Sequence, residues 1–230
     1  MFYPVNLDVE NRSCLVVGGG PVAARKAKTL LECGALVTVI SIAFHPSFGD
    51  LAKNSRLTLI QRPYAAADLA GKFLVIGATS NESLNRQINA DAEARNMLCN
   101  IADVPDICNF ILPSIIRRGD LCIAVSTSGK SPAFAKKLRK DLENLFGDEY
   151  GVFLRLMGAI RKKLLETAHA PEAHKPLFEA LIHQNLLDMI KNNEKDRINQ
   201  TLLEILGPGF DFDALLTAAA RDVRQPSERG

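Results

Sequence analysis

The run VVGGGPVAARK, Val16 to Lys26, places three glycines directly after a short apolar stretch and at the opening of an amphipathic one. That order suits a turn that holds a dinucleotide. Gly18 allows the tight turn off a first strand, Gly20 lets backbone approach a pyrophosphate, and Ala23 stands where a third small residue permits close helix–strand packing. Phosphate oxygens would rest on the free N–H groups of a helix that begins near Pro21 and Val22. Pro21 suits that first turn because its preset φ fits a helix and the N–H it lacks would be unpaired there. Glycine-rich turns also join strands to helices for conformational reasons alone. Here SCLVV before the turn and ARKAKTLLECGALVTVIS after it complete a β-α-β unit, the context in which a nicotinamide dinucleotide binds.

Such a turn needs a sheet around it. Strands are expected near 13–17, 35–41, 57–60, 73–77 and 98–102, with helices near 21–33 and 82–95 and broken helical turns around 43–54 and 64–71. Alternation of this kind implies a parallel sheet covered on both faces, because parallel strands need crossovers. The fold class is therefore α/β, a Rossmann-type nucleotide-binding domain, and ligands bind beyond the carboxyl ends of its strands. Two further strand ends carry candidate cofactor contacts: Ser41, Ile42 and Ala43 after the second, and Thr79 after the fourth. Sites that select NAD often place an acidic residue after the second strand for the ribose hydroxyls. Ser41 stands there instead and no arginine is near, so the residues leave NAD and NADP both open.

Asp103 lies at the fifth strand end. A carboxylate there faces the cofactor crevice, or, two residues before Pro105, organises an Asx-type turn. A sixth strand, 121–126, leads into TSGKSP and a helix over 132–146 whose buried stripe would be Phe134, Leu138, Leu142 and Leu145. Ser131 is the expected N-cap and Pro132 the first helical residue. Thr127, Ser128, Gly129 and Lys130 thus sit at a helix N-terminus, a favourable place for a carboxylate or phosphate. Beyond Gly151 three helical patterns follow, broken at Pro171, Pro176 and the GPG of 207–209, and the final RQPSERG reads as a disordered end.

Composition narrows the class. The chain has 230 residues, 47% hydrophobic and 23% charged, enough for one sizeable core and a smaller lobe. A net charge of +2 does not imply nucleic-acid binding, no apolar run is long enough for a membrane span, and the N-terminus lacks a signal-peptide pattern. A cytoplasmic protein is expected. The five cysteines are scattered, without a CxxC pair, and read as buried hydrophobes in a reducing compartment. His45, His169, His174 and His183 show no ligand spacing and read as surface or helix-cap residues, so no metal site is expected.

At this point the segments YPVNLDVENRSCLVVGGGPVAARKAKTLLECGALVTVIS and CNIADVPDICNFILPSIIRRGDLCIAVSTSGKSPAFAKKLRKDLE resemble one family. It is the precorrin-2 dehydrogenase and sirohydrochlorin ferrochelatase family, the NAD-dependent module of siroheme synthesis. The resemblance spans residues 3 to about 145; residues 150–230 match only in being helical. It implies hydride transfer from the precorrin-2 macrocycle to NAD with proton loss, giving sirohydrochlorin, and in some members the insertion of ferrous iron. An aspartate of the motif matched by NIADVP serves in both reactions, a role that falls on Asp103. The resemblance further implies an intertwined homodimer. The domains are then 1–112 for the cofactor, 113–147 for dimerisation and 148–230 for a helical C-terminal domain.

A tetrapyrrole with many carboxylates demands concentrated positive charge, since each anion loses hydration on entering a cleft. Arg117, Arg118 and Lys130 flank the sixth strand and its helix-opening loop and are the expected substrate contacts, with Thr127, Ser128 and Gly129. A reading from another class explains residues 13–41 equally well: a dinucleotide-sensing regulatory module without catalysis. It does not explain the basic segment or Asp103.

Overall fold

In a computed structural model, residues 2–102, 104–167 and 171–222 are described, and they fall into two units, Met1–Leu112 and Pro113–Gly230. The first is built on five parallel strands: β1 (Ser13–Val17), β2 (Leu36–Ser41), β3 (Leu57–Gln61), β4 (Leu74–Gly77) and β5 (Leu98–Ile101). Their order is β3-β2-β1-β4-β5. The sheet runs outward from β1 in both directions, so the carboxyl ends of β1 and β4 flank a switch point where a crevice opens. Helix α1 (Pro21–Glu32) and helix α2 (Glu82–Glu93) are crossovers, and short 3-10 turns occupy 46–48, 51–53 and 66–69.

Strand burial explains the apolar sequence runs. Cys14 to Val17 and Leu74 to Gly77 are buried at every position, because helices cover both faces of the central strands. One side of the sheet packs Val16, Val39 and Ile76 against Ala23, Ala24 and Ala27 of α1. The other packs Leu15, Ile40, Val75 and Ile101 against Ile88 and Ala92 of α2. Alanine on the α1 face lets that helix lie close to β1, so its N-terminus sits over the strand end.

The expected sixth strand is β7 (Leu121–Val125), and it pairs antiparallel with β6 (Ser114–Arg118), a strand not expected, in a separate two-stranded sheet. Gly119 and Asp120 alone join the two, with Gly119 at φ 58°, and a two-residue link of that kind can only reverse the chain. The expected stripe on α3 (Pro132–Glu143) is not buried. Phe134 is 55% exposed and Leu145, beyond the helix end, 66%, while Leu138 and Leu142 are half-covered. The helix instead meets the hairpin through Ala135, because two strands are too narrow to cover a wider face. Pro176, expected as a break, lies within α5 (Pro171–His183).

The rest of this unit is a helical core. Helices α4 (Glu149–Thr167), α5, α6 (Leu186–Lys191), α7 (Lys195–Leu206) and α8 (Phe212–Asp222) enclose Leu156, Ile160, Leu181, Leu186, Ile198 and Leu202. Gly151 of α4 packs against the Arg118 carbonyl and Gly119, docking the first helix on the hairpin turn. Residues 223–230, with the whole of the expected disordered end, lie outside the described residues, as does His169. No helix among the described residues is long and apolar enough to cross a membrane.

His45 caps a 3-10 turn, its Nδ1 accepting from Ser47 N at 3.2 Å, and His183 is exposed. His174 corrects the surface reading: it is buried on α5, and its Nε2 has no hydrogen-bond partner. An unpaired buried polar atom costs roughly 1–3 kcal/mol. His174→Leu, of similar size and without that nitrogen, should therefore raise stability in urea unfolding by about 1 kcal/mol. A loss of stability would show that the imidazole holds the core together.

Candidate functional site

The glycine turn lies at the switch point and is shaped by contacts that exclude side chains. Gly18 has φ +128°, and its N–H donates to the Ile40 carbonyl at 2.9 Å. A Cβ there would run into the Ala78 carbonyl at the end of β4. At Gly19 a Cβ would overlap the Ala43 carbonyl oxygen and lie 2.6 Å from Ser41 Oγ. Gly19 matters as much as the two glycines picked out in the sequence, but the GxGxxA spacing treats its position as variable.

Gly20 differs from its neighbours. It is the N-cap of α1 with extended backbone, φ −82° and ψ 179°, and a Cβ built on it meets nothing within 4 Å. Its lack of a side chain serves no packing purpose; it leaves space above the helix N-terminus. No side chain caps that N-terminus, Pro21 occupies its first turn, and no acidic residue lies there. The unpaired N–H groups and the positive end of the helix dipole thus suit a pyrophosphate. Val22 is half-buried and Ala23 fully buried against the sheet.

The end of β2 folds back over the turn. His45 N donates to the Gly19 carbonyl at 2.8 Å, Gln61 Nε2 to the Ile42 carbonyl at 3.2 Å, and Ala43 N to Ser41 Oγ at 3.4 Å. Ser41, Ile42 and Ala43 are thereby brought beside Gly18 to Gly20, with Ile42 72% exposed. Thr79 serves its own loop. Its hydroxyl lies 2.8 Å from Asn85 Oδ1, accepts from Asn81 N, and Asn85 Nδ2 donates to the Thr79 carbonyl at 2.9 Å. Asn85, only 4% exposed on α2, carries no local sequence signal, because its partner is reached only after the β4–α2 loop closes.

Asp103 lies outside the described residues. On its N-terminal side Ala102 N donates to the Gly77 carbonyl at 2.7 Å, which joins the end of β5 to the end of β4.

The expected substrate residues belong to the second unit. Arg118 is committed to structure: Nε donates to the Phe146 carbonyl at 2.9 Å, Nη2 to the Glu143 carbonyl at 3.3 Å, and Asp148 lies 3.6 Å away. Its guanidinium thus closes the C-terminus of α3, where orphan carbonyls collect. Arg117 lies on the exposed hairpin face, in register with Cys122. Thr127 and Ser131 act as caps: Thr127 Oγ1 accepts from Ser131 N at 3.1 Å, and Ser131 Oγ from Phe134 N at 3.3 Å. Ser128, at φ 52°, and Gly129, at φ 80°, turn the chain so that Lys130 is exposed before the helix.

Comparison with known proteins matches this architecture. A family model described as "Putative NAD(P)-binding" covers residues 5–114, and "Sirohaem biosynthesis protein central" covers 118–145. The chain is similar to siroheme synthases and to a precorrin-2 dehydrogenase along most of its length. It is 35% identical over 209 residues to siroheme synthase of Escherichia coli O139:H28 and to that of Shigella boydii serotype 18. Those 209 residues are 90% of this chain and 46% of either relative, so the chain spans about half their length. The solved structure of a precorrin-2 dehydrogenase, SirC, aligns at 25% identity with a TM-score of 0.63, over 96% of this chain and all of that one.

Two substitutions separate packing from ligand contact in this family turn. Gly20→Ala should leave the thermal midpoint unchanged while weakening dinucleotide binding by about tenfold or more in calorimetric titration, because the methyl enters the space for phosphate. Gly19→Ala should lower the midpoint as well, because backbone must move. Equal effects of the two would refute the distinction.

Proposed function

We propose that this protein catalyses the NAD-dependent dehydrogenation of precorrin-2 to sirohydrochlorin. The observation that carries the proposal is the alignment with a precorrin-2 dehydrogenase along nearly the whole of both chains, with the open glycine turn at the same sheet's switch point. The reaction balances as precorrin-2 plus NAD⁺ giving sirohydrochlorin, NADH and a proton. When bound, the dinucleotide supplies the two-electron acceptor. The work of the chain is to place and to neutralise. Backbone at Gly18 to Val22 holds the pyrophosphate, Ser41, Ile42 and Ala43 line the adenosine side, and the chain around Thr79 borders the crevice. Asp103 accepts the proton released as conjugation extends.

The substrate's carboxylates are held by exposed cations of the 113–147 segment, Arg117 and Lys130 first among them, with the backbone of Thr127, Ser128 and Gly129. The protein acts as a homodimer. The hairpin exposes Ile115, Arg117, Cys122 and Ala124 on one face, and Phe134 and Leu145 stand out beside it. A two-stranded sheet is marginal by itself, and a second copy supplies what covers it. The reaction is cytoplasmic, in keeping with five free thiols. Ferrous iron, as a second substrate, is a finer step in the same site, with Asp103 taking up pyrrole protons.

Anaerobic incubation with precorrin-2 and NAD, followed by absorbance, should give NADH and sirohydrochlorin in equal amounts, and Asp103→Asn should slow turnover by about a hundredfold with dinucleotide affinity kept. Added ferrous iron then tests chelation against the spontaneous rate. Dinucleotide binding without product would favour the regulatory module, and full turnover by Asp103→Asn would remove that residue from the chemistry.

A further inference from the structure

The strand-end segment that follows β2 carries its cations already bound. Between the end of β2 and the 3-10 turn at 66–69 the chain has three lysine or arginine side chains, Lys53, Arg56 and Arg62. Lys53 Nζ donates to Asp50 Oδ1 at 2.9 Å. Arg56 precedes β3, at the amino end of the sheet, and donates to Asn11 Oδ1 at 2.8 Å and to the Gly34 carbonyl at 2.9 Å. Arg62 is the one that borders the dinucleotide edge. It follows β3 directly, Gln61 is in register with Ser41, and Gln61 Nε2 reaches the Ile42 carbonyl at 3.2 Å. The sequence has no arginine near Ser41; the pairing of β3 with β2 brings one alongside.

Asp68 holds that arginine. Arg62 Nη1 donates to Asp68 Oδ2 at 2.9 Å and Nη2 to Oδ1 at 2.5 Å, a two-pronged pair, and Nη1 also reaches the Pro63 carbonyl at 2.9 Å. Asp68 Oδ2 accepts in addition from Ala65 N at 2.9 Å, so the carboxylate is itself fixed by the turn that carries it. The Asp68 side chain is only 10% exposed, against 42% for Arg62. The guanidinium beside it holds the Asp68 carboxyl below the usual carboxylate range, and the pair stays ionised at neutral pH. A second anion could take Arg62 only by leaving a nearly buried carboxylate without its partner.

In this fold the adenosine ribose lies at the end of β2, and there the two nicotinamide dinucleotides differ: one offers a 2′-hydroxyl, the other a 2′-phosphate. A carboxylate after β2 selects the hydroxyl and an available arginine accommodates the phosphate. Here Ser41 stands in place of the carboxylate, and the arginine is occupied. Ser41 Oγ accepts from Ala43 N at 3.4 Å and still has a proton to give to a ribose oxygen. We propose that the Arg62–Asp68 pair determines the preference for NAD over NADP: Asp68 withholds from a 2′-phosphate the cation that β3 brings to the ribose edge. This rests on the dinucleotide reading of the glycine turn and needs no turnover.

The test is calorimetric titration of the full chain with NAD⁺ and with NADP⁺, for the parent, Arg62→Gln, Asp68→Asn, Asp68→Glu and the Arg62→Gln, Asp68→Asn double variant. The parent should bind NAD⁺ at least about tenfold more tightly than NADP⁺. Asp68→Asn should tighten NADP⁺ binding by about fivefold or more, with NAD⁺ within about twofold, and the gain should shrink as salt rises. Adding Arg62→Gln should abolish that gain, because both changes act through one guanidinium. Arg62→Gln alone should move NADP⁺ affinity by less than about twofold, and Asp68→Glu, which keeps the charge, should retain the parent's preference. Should Asp68→Asn not fold, Gln61→Lys supplies an unpaired cation at the same edge and should tighten NADP⁺ alone by about fivefold; no gain there would overturn the proposal.

Equal affinity of the parent for both dinucleotides, a parallel change in both on Asp68→Asn, or a gain that survives Arg62→Gln would each overturn the role of the pair while leaving the glycine turn as a dinucleotide site. A parent that binds neither dinucleotide would instead refute the reading of the turn, and this inference with it.

Discussion

Three carbonyl-bearing segments meet at the end of β1 with no room for a side chain between them. Gly18 is pressed on the Ala78 carbonyl and Gly19 on the Ala43 carbonyl, and only residues without a Cβ allow β1, the β2 loop and the β4 loop to converge. From that convergence follow the position of α1 over the strand end, the closure of Ser41 to His45 over the turn, and the empty space above Gly20. The alanine face of α1 extends the same logic into the core, because Ala23, Ala24 and Ala27 let the helix approach close enough to point its N-terminus at the crevice.

The same unit handles its two sheet ends differently. β3 ends the sheet on one side, and its Gln61 reaches back to the β2 loop. β5 ends it on the other, where Asn109 and Cys108 imitate a missing strand. Side chains thus satisfy an edge that no further strand covers.

The second unit solves a separate problem. Its helical core closes on itself around Leu156, Ile160, Leu181 and Ile198. Its hairpin and α3 do not, because Phe134, Leu145 and Ile115 stay in solvent. Arg118 spends donors on the carbonyls that end α3, Ser131 caps the helix as its sequence position implies, and the Thr127 hydroxyl, expected at a ligand, accepts from Ser131 N. A polar residue at a helix boundary has a structural use available before any ligand arrives, and here that use prevails.

Local patterns determined much by themselves. The five parallel strands, α1, α2 and the glycine turn follow from apolar runs, helical periodicity and glycine spacing, all of which act within a few residues. Tertiary structure decided the rest, because those features depend on what faces them. The stripe on α3 has helical period, yet period says nothing of how wide the partner is. The strand at 121–125 has strand composition, yet Gly119 and Asp120 send it to β6 rather than to the parallel sheet. Gly19, Asn85 and Cys108 carry no local pattern at all. Each acts on atoms that are distant in the chain or belong to a loop not yet closed, and only the folded backbone brings those atoms within reach.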